Sequence, residues 1–234
     1  MTNLLKYIFL TIILLPFFST AKEKKINIEK PDMEQIRRDV LDPASKYYYP
    51  KLMRQYEQNE TIMTLQDYRH LYLGMVFQED YNPYRKNEKS ADIERLYYQK
   101  SHTRVELDSI ISYAEHALQD DPFNFEQINF LIFALQKRKK TNRAAIWQYR
   151  LNHLLEAIAS TGTGLDPDNA WYVISPQHEY NIINFQNGVA EHQKYVEPYY
   201  DYIEIKKVND KSPQGYYFNI RYILEEYYRK FPEQ

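Results

Sequence analysis

The chain predicts an α+β protein: mostly α-helical, in packed helix pairs, followed by a small C-terminal antiparallel sheet. Three observations predict it. Apolar residues recur at helical spacing from about residue 31 to residue 160, the period shortens towards two in the last quarter, and the two kinds of segment follow one another instead of alternating. The expected organisation is a signal peptide over 1–21, a flexible lead over 22–30, a helical region over 31–164, and a small α+β region over 165–234 packed on the helices.

The start of the chain reads as an address. Lys6 precedes an apolar run from Tyr7 to Phe18, then come Ser19, Thr20 and Ala21 before the charged stretch Lys22–Lys25, which predicts signal cleavage after Ala21. An uncleaved anchor is the alternative, but a run broken by Pro16 falls short of the ~20 residues that span a bilayer. The chain is therefore expected to be exported, to the periplasm or the extracellular space, with no stable membrane span once cleaved. With no cysteine, packing alone must hold the exported chain together.

Helix by helix, Pro31 and Asp32 open the first, to about Leu41, and Asp42-Pro43 ends it. A second runs from about Tyr48 to Glu57. Thr64 caps a third, in which Leu65, Tyr68, Tyr72, Met75 and Val76 share a face, and Pro83 stops the segment behind it. Leu107, Ile110, Ile111, Ala114, Ala117 and Leu118 stripe a helix that ends at Asp121-Pro122. Asn124 caps the next, to about Lys139, apolar on most sides and so the expected central helix. Another covers about Asn142 to Ser160, with Ile146, Trp147, Leu151, Leu154, Leu155 and Ile158 inward, and Gly162 and Gly164 supplying positive-φ positions behind it.

Beyond Gly164 the reading is a strand over Ala170–Ser175, a short helix from Gln177 to Gln186 closed by Asn187-Gly188, and a short strand over Lys194–Val196. A strand from Tyr199 to Val208 follows, with Ile203 and Ile205 alternating against Glu204 and Lys206. A polar turn leads into Tyr216–Ile220, where Tyr216, Phe218 and Ile220 share one face. Ile223, Leu224, Tyr227 and Tyr228 predict a closing helix.

Charge and motifs narrow the function by exclusion. Without Lys6 the exported chain carries 29 basic and 32 acidic side chains, a net charge near −3, which gives no electrostatic reason for a nucleic-acid partner. Lys137–Lys140, the one basic run, reads as a solvated helix end. Five glycines form neither a dinucleotide fingerprint nor a P-loop, and no nucleophile elbow or H-E-x-x-H pair occurs, so neither cofactor nor metal is expected. Asp166-Pro167-Asp168-Asn169 lacks the glycine and glutamate of a calcium loop and reads as a turn.

Twenty-four tyrosines among 234 residues are unusual, and a tyrosine suits a core margin and a binding face equally well. Tyr68, Tyr72, Tyr81 and Tyr84, with His178 and Glu179, are the candidate binding residues. Ser175, His178 and Glu179 lie just past a strand end, where acyl-transfer geometry would need His178 against Ser175 and an acid, Glu179 or Asp201, behind it. The plainer reading gives Ser175 a capping role and His178 a surface position.

Two resemblances add to this. Residues 91 to 160 resemble a divergent tetratricopeptide pair: Ala117 with Asp121-Pro122 and Ala144 fit its small-residue and proline positions, Leu131 fits a large apolar one, and Tyr98 and Ile132 depart from it. Over most of the chain the sequence resembles an uncharacterised family of exported Bacteroidetes proteins classed as a domain of unknown function. The residues are Asp67-Tyr68-Arg69, Leu71-Tyr72-Leu73-Gly74, Tyr81-Asn82-Pro83-Tyr84, Asp121-Pro122-Phe123-Asn124, Val173-Ile174-Ser175 with Glu179-Tyr180-Asn181, and Tyr217-Phe218-Asn219-Ile220. That resemblance implies the cell envelope of a Gram-negative bacterium and brings no activity or catalytic residue. The expected function is a non-catalytic interaction protein that binds a protein or peptide through a helical, tyrosine-rich surface. The alternatives are a glycan-binding module, whose tyrosines stack on sugars, and a hydrolase with a cleft near Ser175 and His178.

Overall fold

A computed structural model of the protein describes residues 26–85, 90–207, 209 and 212–232. The expected signal segment, its cut after Ala21, and Val208 lie outside the described residues. Seven helices come first: α1 (Met33–Leu41), α2 (Tyr49–Glu57), α3 (Leu65–Gly74), α4 (Ser90–Tyr97), α5 (Arg104–Asp120), α6 (Phe125–Lys137) and α7 (Thr141–Ala159). The C-terminal part is β1 (Trp171–Tyr172), α8 (Pro176–Phe185), β2 (Ala190–Val196), β3 (Tyr200–Ile205), β4 (Gly215–Asn219) and α9 (Arg221–Lys230). The architecture is α+β: mostly helical, then a small C-terminal sheet of four strands.

The helix starts are written in local chemistry. Asp32 accepts from the Gln35 N–H at 2.9 Å and Asn124 from the Gln127 N–H at 3.1 Å, each satisfying a donor that the helix cannot. Thr64 with Asp67, and Thr103 with Glu106, close reciprocal capping boxes. α6 is the central helix, as its all-round apolarity predicts: Ile128, Leu131, Ala134 and Leu135 have no exposed surface. α5 and α7 pack on its two sides. A single cluster of buried residues runs from Ile36 to Ile223, so the C-terminal part shares its core with the helices.

Several local expectations are corrected. Ile146 is exposed and Trp147 only partly buried, because the inner stripe of α7 is carried by Leu151, Leu154, Leu155 and Ile158. Gly164 has a φ of +71°, but Gly162 does not lie in the left-handed region. It is needed for space: a Cβ there would stand 2.2 Å from the Asn169 carbonyl oxygen. The described end of the expected flexible lead is tied down, since the Glu29 N–H donates to the Ser160 carbonyl at 2.8 Å and Ile26 packs against the core.

The strand order is β1-β4-β3-β2, with β2–β3 and β3–β4 antiparallel and β1–β4 parallel. The expected antiparallel sheet is thus mixed, because the chain leaves β1 through α8 and the β2–β3 pair and returns in the same direction. Along β3, Asp201, Ile203 and Ile205 are buried while Tyr200, Tyr202 and Glu204 are partly exposed. The core therefore lies on one side of the sheet, and the other side faces out.

Candidate functional site

Two neighbourhoods collect polar chemistry, one inside the protein and one on its surface. The inner one forms where the first turn of α8 enters the helical layer. His178 is buried, its ring stacked on Phe125 with centroids 4.1 Å apart. Its Nε2 lies 2.9 Å from the Phe123 carbonyl oxygen, which can only accept, so that nitrogen carries the hydrogen. Nδ1 is then the acceptor, and the Tyr72 hydroxyl donates to it at 2.7 Å. The Ile174 N–H donates in turn to the Tyr72 oxygen at 3.3 Å, and Tyr81 donates to the Ile174 carbonyl at 2.8 Å.

Burial lowers His178 to about 4 and raises Tyr72 well above the ordinary phenol value. A neutral imidazole with both nitrogens engaged has no lone pair to offer a nucleophile. His178 is thus an internal strut, not the surface residue expected. Ser175 stands at the N-cap position of α8 without a side-chain cap bond, because its carbonyl already accepts the His178 N–H at 3.1 Å. The pocket that both residues line holds about 40 Å³, room for a few waters but far below the ~300 Å³ of a small-molecule site.

Glu179, the next residue, turns towards the sheet and is buried. Gln193 Nε2 donates to Asp201 Oδ2 at 2.6 Å and to Glu179 Oε2 at 3.3 Å. Tyr180 donates to Gln193 Oε1 at 2.8 Å, which fixes the amide end that faces the acids. Burial first, then the Asp201 charge and contact, push Glu179 well above the ordinary carboxylate range. Glu179 is thus the more readily protonated of the two acids, which share the Gln193 amide, and the raised value of Asp201 also comes first from burial. The result is a clamp between α8 and the β2–β3 pair, with Glu179 joined to Asp201 through Gln193 and not to His178.

The tyrosines singled out in the sequence are mostly committed inward. Tyr68 and Tyr72 are buried, Tyr68 edge-on to Tyr56 with centroids 6.4 Å apart. Tyr81 is buried, and Tyr84 is part-buried with its hydroxyl on the Ile223 carbonyl at 3.1 Å. Buried rings such as Tyr68 and Tyr72 have no free face for a sugar or a partner side chain.

The outer neighbourhood is the open side of the sheet. Lys194 pairs with Tyr202 and Tyr202 with Tyr217, so a row of three side chains crosses β2, β3 and β4. The Tyr202 and Tyr217 rings lie 4.6 Å apart, and Lys194 Nζ sits 4.8 Å from the Tyr202 ring centre. Val196 and Tyr200 pair in the next row, and Tyr199 lies against Tyr200 with centroids 4.8 Å apart. Sequence reasoning missed Tyr202 and Tyr217 as candidates. The signal was present, since the alternation that turns Ile203 and Phe218 inward turns Tyr202 and Tyr217 outward.

The helices carry a groove of their own, of about 610 Å³, lined by Asp108, Ile111, Glu115, His116, Arg138 and Lys140 among others. It is charged, not tyrosine-rich as expected of the helical surface, and Arg138 is paired to Asp108 at 2.7 Å.

Residues 34–229 match the family described as "Domain of unknown function (DUF4919)". The chain belongs to that family. The DUF4919 match runs from the first turn of α1 to the last turn of α9, so both neighbourhoods and the groove lie within it. No curated protein and no solved structure matches the chain. Among the described residues of this DUF4919 protein, no helix is long and apolar enough to cross a membrane.

Proposed function

We propose that this DUF4919 protein is an exported, non-catalytic binding protein of the cell envelope, and that it recognises its partner with the outer face of the C-terminal sheet. Export is supported by the Lys6 to Ala21 pattern. The observation that carries the recognition surface is the Lys194–Tyr202–Tyr217 row, which stays outside while every second residue of β3 is buried. Partly exposed aromatic rings on a rigid strand pair hold contact area at low cost in conformational freedom.

Retention on cell-envelope material tests this. Replacing Tyr202 and Tyr217 together by alanine should weaken retention by about tenfold or more, the equivalent of ~1.4 kcal/mol of lost ring contact. Unchanged retention would remove the sheet face from the account.

A second reading is favoured by the size of the helical groove. At about 610 Å³ it could seat an extended charged peptide between α5 and the α6–α7 end, in the manner of a tetratricopeptide pair. Its test is charge reversal at Arg138 and Lys140, which should abolish binding of that peptide and leave envelope retention through the sheet intact.

A further inference from the structure

We infer that the ligand of the outer sheet face is an uncharged glycan chain, its sugar rings stacked on Tyr202 and Tyr217; this rests on the reading of that face as the binding surface. The first support is how the Tyr202 ring lies. A Cβ on Gly215 would come within 2.6 Å of the ring's Cζ and 2.7 Å of its hydroxyl, so the ring tip rests on bare backbone where Gly215 has no side chain. The ring is flanked as well by Lys194 Nζ, 4.8 Å from its centre, and by the Tyr217 ring, 4.6 Å away, so what it presents is the partly exposed aromatic surface it shares with Tyr217. A pyranose offers C–H groups on its flat side, which suit an electron-rich phenol face, while its hydroxyls reach sideways to polar neighbours.

The second support is what else the face carries. Outward positions beside Tyr202 hold Lys194, Glu204 and the Tyr217 hydroxyl, donors and acceptors at the rim of a ring, whereas Ile203, Ile205 and Phe218 are turned into the core. An apolar peptide anchor needs a pocket to fill. The two pockets described lie instead on the α5–α7 surface and at the start of α8.

The third support is charge. Lys194 stands 3.6 Å from Glu204, and Arg221, at the neighbouring end of α9, is 2.8 Å from Glu225. Cations already paired with acids give no net field for a polyanion, and binding of single-stranded nucleic acid combines stacking rings with a positively charged groove. Lys206 and Lys207 stand exposed at the far end of β3, so the charge beside the aromatic rings themselves is that of the Lys194–Glu204 pair, which matches a neutral polymer.

The test uses protein expressed from the full-length sequence, run by affinity electrophoresis through gels holding soluble β-glucan, xylan, mannan or polygalacturonate. The expected result is retardation by at least one neutral polysaccharide, lost at least ~tenfold in Tyr202→Ala and kept in Tyr202→Phe, which retains the ring. Envelope retention is measured beside it, after periodate, which cleaves sugar diols, or after protease. Loss on periodate supports the inference. Retardation by polygalacturonate alone, by none of the four, or envelope retention that is lost to protease and resists periodate would overturn the glycan. If retention in that last case still falls with the Tyr202 and Tyr217 replacements, the sheet face stands and only its ligand is refuted. Retention that ignores both replacements refutes the face itself.

Discussion

The helical layer and the sheet use the same residue type in opposite ways. In the helices, Tyr72 gives its hydroxyl to His178 and Tyr56 gives its own to the Pro122 carbonyl, so ring and hydroxyl are both consumed inside. On the sheet, Tyr202 and Tyr217 remain partly exposed, one ring laid over a glycine and the two leaning together. The difference comes from geometry. A helix surrounded by others has little surface free of neighbours, whereas a sheet with its core on one side leaves every second residue wet. Tyrosine content alone cannot reveal function for that reason; the element that carries the ring decides its use.

The comparison breaks most readily at its buried end. Leu131→Ala in α6 should cost about 2 to 5 kcal/mol in denaturant melts, since the fully buried site leaves a cavity. A loss within about 0.5 kcal/mol would mean that α6 is not the central helix. Tyr72→Phe should come next, at about 1 to 3 kcal/mol, because His178 Nδ1 and the Ile174 N–H both lose their partner in a dry place. Tyr202→Ala should cost less than about 1 kcal/mol, as partly exposed cross-strand pairs do, while binding falls. If Tyr202→Ala destabilised as much as Tyr72→Phe, the division between structural and presenting tyrosines would fail.

The acid clamp and the histidine strut sharpen the comparison through pH. His178 is lowered to about 4, so its contribution is complete above the ordinary value of 6.5 and is lost as pH falls from there through 4. Glu179 is raised, so the folded state holds a proton that the unfolded chain releases above about 4.5; stability falls as pH climbs from there towards the raised value. Glu179→Gln removes that titration and should flatten the decline in melting temperature as pH rises above about 4.5. A decline unchanged in the variant would place the responsible acid elsewhere.

What the sequence made legible is what local chemistry decides. Thr64, Asn124 and Asp32 announce helix starts because a cap acts within three residues, and the all-round apolarity of 128–135 predicts the central helix without reference to any neighbour. The harder features are those set by distant partners. His178 is buried by residues 106 and 55 positions away, Tyr72 and Phe123, and no local pattern around it distinguishes that outcome from a surface position. The parallel pairing of β1 with β4 is equally invisible, since two residues at Trp171–Tyr172 carry too short a pattern to name a partner. The open sheet face is half legible: the alternation around Ile203 and Ile205 announces an apolar side, and its complement is the row that carries Tyr202.

The central claim, that the tyrosines divide into an inward set and a presented set, is tested most directly by nitrating the native protein with tetranitromethane and locating the modified rings by mass spectrometry. Tyr202 and Tyr217 should be nitrated early, while Tyr56, Tyr68 and Tyr72 stay unmodified until the protein is unfolded. Early nitration of Tyr68 or Tyr72, or protection of both Tyr202 and Tyr217 in the free protein, would contradict the account.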